Sequence, residues 1–273
     1  MQRASQGTDG GGDAGRGTRR PVLLVHGQPG VGADWSPVTS LLRADHQVLA
    51  PDRPGYGANT APVTSMAANA EFLAGILRTA GATPAVVVGH SYGGGIALLL
   101  AAGHPELVAG LVLVASVGGA GSVTAVDRVL AAPVVGSAAM LAGVFTIGRV
   151  LPEVRRRAGV LPEPWRWWAE THLPDDRYGQ APLRALWRVV STEQRALVAE
   201  IGDIQAAARE VAVPATVVTG TRDPIVPPGA AVHLAAAIRG AELVTVARTG
   251  HFVPRDRPDV VARAVRRLTR RSS

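Results

Sequence analysis

The sequence predicts an α/β fold built on a mostly parallel, doubly wound sheet. Three observations carry this expectation. Short continuous apolar runs recur along the chain, and segments of helical spacing lie between them. An uninterrupted apolar run, unlike a strictly alternating one, fits a strand covered on both faces. Each distinctive polar motif follows directly on such a run. That is where a parallel sheet gathers its functional groups, at the carboxyl ends of its strands.

In chain order, Pro21 to Val25 is the first strand and ends at His26-Gly27-Gln28-Pro29-Gly30. Gln47 to Ala50 is the second, ending at Asp52-Arg53-Pro54-Gly55-Tyr56-Gly57. Met66 to Thr79 has helical spacing, with Phe72, Leu73, Ile76 and Leu77 on one face. Ala85 to Val88 is a β-branched run, and Ile96 to Ala102 lies in the helix that follows. Leu107 to Ala115 is a further buried strand, and Ala215 to Thr219 and Leu243 to Val246 supply two more. Pro258 to Thr269 reads as an amphipathic helix, apolar at Val260, Val261, Ala264, Val265 and Leu268.

The chain has 273 residues, 47% hydrophobic and 18% charged, which supports a sizeable core and excludes global disorder. It contains no cysteine, so disulfides, thiolate metal sites and cysteine nucleophiles are excluded. All basic residues are arginine, and the net charge is +7. Much of that charge sits near the ends, in Arg16, Arg19 and Arg20 and in Arg263, Arg266, Arg267, Arg270 and Arg271. No aromatic residues interleave with them, so solvated ends are expected and no nucleic-acid partner. Residues 1–20 are polar and lack the apolar core of a signal peptide. They read as a flexible tail on a cytoplasmic protein.

Residues 117–208 differ from the rest. They are rich in helix formers and carry Trp165, Trp167, Trp168 and Trp187. An insertion between parallel strands emerges over the strand ends, so this segment is expected to be a helical cap. The core then comprises 21–116 and 209–273. Val129 to Gly148 carries no charge and has the length of a membrane span. Pro133, Gly136, Ser137 and Gly143 oppose that reading. Cap helices over an apolar pocket are preferred, with weak contact to a membrane surface second and a stable span last.

The chemistry centres on Gly89-His90-Ser91-Tyr92-Gly93. Between a strand and a helix, this string forms a sharp turn that lifts the serine Oγ above the sheet. A serine hydroxyl needs a base, and the base needs an orienting carboxylate. His251, in Thr249-Gly250-His251-Phe252, follows the last strand, and Asp223, in Gly220-Thr221-Arg222-Asp223-Pro224, follows the one before it. Asp127 is the rival acid, some way into the cap. Among the other histidines, His26 is expected to brace the turn after the first strand, and His90 to point away from the nucleophile. Acyl transfer also needs donors for the oxyanion, each typically worth ~3 kcal/mol. The backbone N–H of Tyr92 is one candidate. Gln28 is the other, because Pro29 has no N–H. No metal or organic cofactor is required.

These motifs together resemble the α/β-hydrolase fold superfamily. The resemblance is to its cap-bearing group of esterases, carbon–carbon bond hydrolases, epoxide hydrolases, haloalkane dehalogenases and cofactor-free haloperoxidases. It runs from residue 21 to the C-terminus and spares the cap. It implies the triad Ser91, Asp223 and His251 and oxyanion donors at Gln28 and Tyr92. Members of the superfamily usually carry two antiparallel strands before the first motif, where this chain has its polar tail. Epoxide hydrolases and haloalkane dehalogenases use aspartate at the elbow, so Ser91 argues against both.

The expected function is therefore a serine hydrolase acting on small or medium, apolar carboxylic esters. Carbon–carbon bond hydrolases, lactonases and haloperoxidase-like enzymes are alternatives within the superfamily. Phe252, where carbon–carbon hydrolases often carry tryptophan, disfavours the first of these. A non-catalytic small-molecule binding protein on the same scaffold is the alternative from another class.

Overall fold

The computed structural model describes residues 20–143, Arg157 and 183–271. Six strands form one sheet: β1 (Pro21–Val25), β2 (Gln47–Leu49), β3 (Ala85–His90), β4 (Val108–Val114), β5 (Ala215–Gly220) and β6 (Glu242–Val246). Their spatial order is β2-β1-β3-β4-β5-β6, and every pairing is parallel. The chain winds outward one way from β1 to β2, then returns to β3 and winds the other way. The carboxyl ends of β1 and β3 therefore flank the point where the winding reverses, and such a crevice is the favoured ligand site of an open α/β sheet.

The apolar runs are continuous because both faces of the sheet are covered. Along β1, Leu23 and Val25 enter one core while Val22 and Leu24 enter the other. On the first face lie α2 (Met66–Thr79), α3 (Tyr92–Gly103), α6 (Leu183–Glu210) and α7 (Pro228–Ala237), through Leu73, Ile96, Ile204 and Leu234. On the second lie α1 (Ser36–Leu42) and α9 (Pro258–Arg271), through Val38, Leu42, Val261 and Val265. The amphipathic spacing of Met66 to Thr79 is realised as α2, which Ser65 caps by accepting the Ala68 N–H at 3.1 Å. The short helix α8 (Val253–Asp256) follows the His251 loop.

After β4 the chain enters α4 (Ala125–Ala131) and α5 (Val135–Gly143), which meet at a bend of 99°. Among the described residues no single helix is long and apolar enough to cross a membrane, though this bent pair has the length and composition together. Val126, Val129, Val134, Val135 and Leu141 are exposed on it. Trp165, Trp167 and Trp168 and the expected N-terminal tail up to residue 19 lie outside the described residues.

Helix α6 runs straight through position 208, where the sequence suggests that the cap ends. Ile204, Ala207 and Ala208 sit in the main core beneath the sheet. Leu186 and Val190, nearer its N-terminus, pack with Tyr56 beside the strand ends. One continuous 28-residue helix thus connects the sheet to the site end of the molecule, a length of about 40 Å at 1.5 Å per residue.

Candidate active site

Ser91 joins β3 to α3 with φ 53° and ψ −121°. This left-handed backbone is costly for a residue with a side chain and persists only where the surroundings impose it. Here they do. The Ser91 N–H donates to Val114 O at 2.9 Å, and Ser91 O accepts from Gly94 N at 3.0 Å and Val117 N at 3.3 Å. The glycines allow strand and helix to close on each other. A Cβ on Gly89 would lie 2.5 Å from Gly93 O, and one on Gly93 would collide with the carbonyl oxygens of Val25 and His26.

His251 and Asp223 are brought together directly. His251 Nδ1 lies 2.8 Å from Asp223 Oδ2, with both side chains buried. A carboxylate only accepts, so Nδ1 carries the proton and Nε2 keeps its lone pair. Asp223 is held in turn: its Oδ1 accepts the N–H groups of Ile225 at 2.8 Å and Val226 at 2.9 Å. Asp127 is committed elsewhere. It closes the capping box of α4 with Thr124 and accepts from Gln194 Nε2 at 3.0 Å.

The His90 ring lies against that of His251, centroids 4.8 Å apart. Its Nε2 donates to His251 O at 3.0 Å. The loop after β6 is thereby tied to the residue next to Ser91. Burial and the neighbouring His251 lower the His90 pKa to about 3, so its ring is neutral.

The two expected oxyanion donors come from different segments, Tyr92 from the elbow and Gln28 from the loop after β1. Tyr92 is the first residue of α3, so its N–H has no partner within the helix. Gln28 follows Gly27, where a Cβ would stand 3.1 Å from Ser91 Cβ. The loop carrying Gln28 therefore packs directly on the Ser91 turn. The Gln28 side chain faces elsewhere: its Nε2 donates to Val190 O in α6 at 2.8 Å.

Sequence reasoning missed a buried charged group beside this loop. Arg53 and Glu193 are fully buried and form a salt bridge between Nη1 and Oε1. Tyr56 Oη donates to Glu193 Oε2 at 2.6 Å. The guanidinium carbon lies 4.9 Å from the Tyr56 ring centre and 5.0 Å from that of Tyr92. Arg53 stands in Asp52-Arg53-Pro54-Gly55-Tyr56-Gly57 after β2, but Glu193 has no local signal. Among the described residues no group of three or more His, Asp or Glu side chains is placed to hold a metal ion.

Comparison with known proteins agrees with the fold. Residues 22–264 match the alpha/beta hydrolase family, and the chain belongs to it. It is 30% identical to the uncharacterized protein Rv2715 of Mycobacterium tuberculosis, over 90% of this chain and 75% of that protein. It is 31% identical to the 2-hydroxymuconate semialdehyde hydrolase of Pseudomonas putida, over 90% of this chain and 85% of that one. Among solved structures, the 2-hydroxy-6-oxo-6-phenylhexa-2,4-dienoate hydrolase of Rhodococcus sp. strain RHA1 superposes with a TM-score of 0.69 at 23% identity, covering 92% of this chain and 90% of its own. That last likeness speaks for the fold.

Proposed function

We propose that this chain is a serine hydrolase that cleaves small or medium, apolar carboxylic esters through an acyl-enzyme on Ser91. The observation that carries the reading is the 2.8 Å contact of His251 Nδ1 with Asp223, in a loop tied to a strained serine elbow. His251 Nε2 takes the Ser91 proton as Oγ attacks the ester carbonyl. The N–H groups of Gln28 and Tyr92 receive the negative charge that develops on the carbonyl oxygen. His251 returns the proton to the departing alcohol, and water repeats the cycle on the acyl-enzyme. Asp223 fixes the imidazole tautomer and stabilises the imidazolium. The segment between β4 and α6 acts as a lid, and the uncharged stretch 129–148 favours an apolar acyl group.

Carbon–carbon bond hydrolysis is the second reading, favoured by the likeness to the 2-hydroxymuconate semialdehyde hydrolase. Phe252 opposes it.

A fluorophosphonate probe tests the common chemistry. Wild-type protein should label, and Ser91→Ala and His251→Ala should not. Labelling that survives Ser91→Ala would sink the serine mechanism, and a wild type that never labels would favour the non-catalytic binding protein. A chain-length series of p-nitrophenyl esters, run beside 2-hydroxymuconate semialdehyde, then separates the two readings.

A further inference from the structure

The oxyanion donor at Gln28 belongs to the peptide unit that joins Gly27 to Gln28. Among the described residues only the bonds before Pro29 and Pro84 are cis, so this unit is trans. In a trans peptide the C=O and N–H point in opposite directions from one rigid plane. Whatever fixes the Gly27 carbonyl therefore aims the Gln28 N–H.

Two groups fix that carbonyl. Arg53 Nη2 donates to Gly27 O at 2.9 Å. His26 Nδ1 lies 3.0 Å from the same oxygen. His26 can donate there because its Nε2 accepts the Arg53 backbone N–H at 3.0 Å, which places the ring proton on Nδ1. The guanidinium also holds the preceding carbonyl, with Nε donating to His26 O at 3.1 Å. A cation and a ring N–H thus pull on one peptide oxygen. Donors on the carbonyl polarise the whole amide, which strengthens the N–H at its far side.

Arg53 is in turn held from α6. Glu193 takes the other edge of the guanidinium with both carboxylate oxygens, and one of them also accepts from Tyr56. One helical turn earlier, Val190 O receives the Gln28 side chain. Helix α6 therefore grips the oxyanion loop at two points, one through a buried charge and one through a neutral amide.

From this the geometry points to Arg53 as a positioning residue for the oxyanion hole: docked on Glu193 of α6, it sets the plane of the Gly27–Gln28 peptide and aims its N–H at the developing oxyanion. The inference rests on the serine-hydrolase reading above.

Arg53→Lys is the test. Lysine keeps the charge opposite Glu193 but has no planar fork, so it cannot hold Glu193 and two carbonyls at once. If Arg53 only neutralises Glu193, lysine restores function. If Arg53 aims the peptide, kcat for a p-nitrophenyl ester falls about 10- to 100-fold while KM stays within about threefold, because the group acts on the transition state and not on the bound ester. The melting temperature is measured alongside. A folded Arg53→Lys with wild-type kcat overturns the proposal. Should that variant fail to fold, Arg53→Met/Glu193→Leu carries the test. An apolar pair of similar volume commonly restores the stability lost when one partner of a buried pair is removed. A kcat that stays low in this stable double variant supports aiming, and one that recovers with stability overturns it. Wild-type labelling by fluorophosphonate separates the two levels: its absence removes the hydrolase reading and this inference with it, whereas normal labelling with unaffected variants removes this inference alone.

Discussion

Replacing Asp223 by Asn changes one atom and should remove nearly all activity. The magnitude follows from the three groups around the carboxyl. Oδ1 accepts two backbone N–H groups, at 2.8 and 2.9 Å, and Oδ2 faces His251 Nδ1 at 2.8 Å. In the Asp223→Asn variant the amide oxygen must stay on the Ile225 and Val226 N–H groups, because an amide NH₂ there would set donor against donor. The NH₂ is then left facing Nδ1, which has to become an acceptor. The imidazole proton moves to Nε2, and that nitrogen can no longer take the proton of Ser91. The same tautomer error costs about 10⁴ in kcat in a serine protease, or about 5 kcal/mol of barrier. Size and backbone bonds are kept, so the fold should survive. The assay is the p-nitrophenol burst and steady state, with melting temperature recorded for each variant. A folded Asp223→Asn enzyme that keeps more than about a tenth of wild-type kcat would refute the tautomer argument. Asp127→Asn should stay within about threefold, since both oxygens of Asp127 serve the α4 cap and Gln194.

Other outcomes follow from packing and protonation. Gly93→Ala should cost at least about 3 kcal/mol in urea unfolding, because its Cβ meets two main-chain oxygens that cannot turn away. Gly103→Ala, at the end of α3 with nothing within 4 Å, should instead stabilise by up to about 1 kcal/mol. His90→Gln should flatten the acid side of the stability curve. His90 binds a proton near pH 6.5 when unfolded but only near pH 3 when folded, so stability falls as pH drops through that window. The loss from this group reaches at most about 2 kcal/mol at pH 5. Glutamine can still donate to His251 O without that penalty. Urea titrations at pH 7 and pH 5 would count against this if wild type and variant lost stability equally.

Legibility in the sequence tracks how local each cause is. The strand Pro21–Val25 and the helix Met66–Thr79 have the bounds that their apolar spacing predicts. Helix α3 begins at Tyr92, earlier than its Ala/Leu run, because Gly93, Gly94 and Gly95 are recruited by packing that propensity alone would refuse. Helix α1 leaves no such trace: seven residues are too few to display a period. Asp223 and His251 are legible through their places after β5 and β6. The contact of His90 with His251 is not, since it depends on a carbonyl 161 positions away. Glu193 is illegible for the same reason, being 140 positions from Arg53 in the chain.

This division has a physical origin. The elbow and the proposed oxyanion donors are main-chain features, and the main chain is shaped by glycine, proline and strand ends, which a sequence displays openly. The groups that aim those features are side chains on other elements. The strain at Ser91 is held by Val114, Gly94 and Val117 through backbone bonds that any sequence of this topology could make. The Gly27–Gln28 peptide is held by a guanidinium that would be costly to bury alone, since removing one partner of a buried pair costs about 3–5 kcal/mol. Glu193 is what makes that burial tolerable, and it sits on α6, whose later residues Ile204 and Ala208 pack in the main core. A substitution in the N-terminal half of α6 should therefore alter the proposed ester hydrolysis without touching Ser91, Asp223 or His251. The effect should appear in kcat before it appears in substrate affinity.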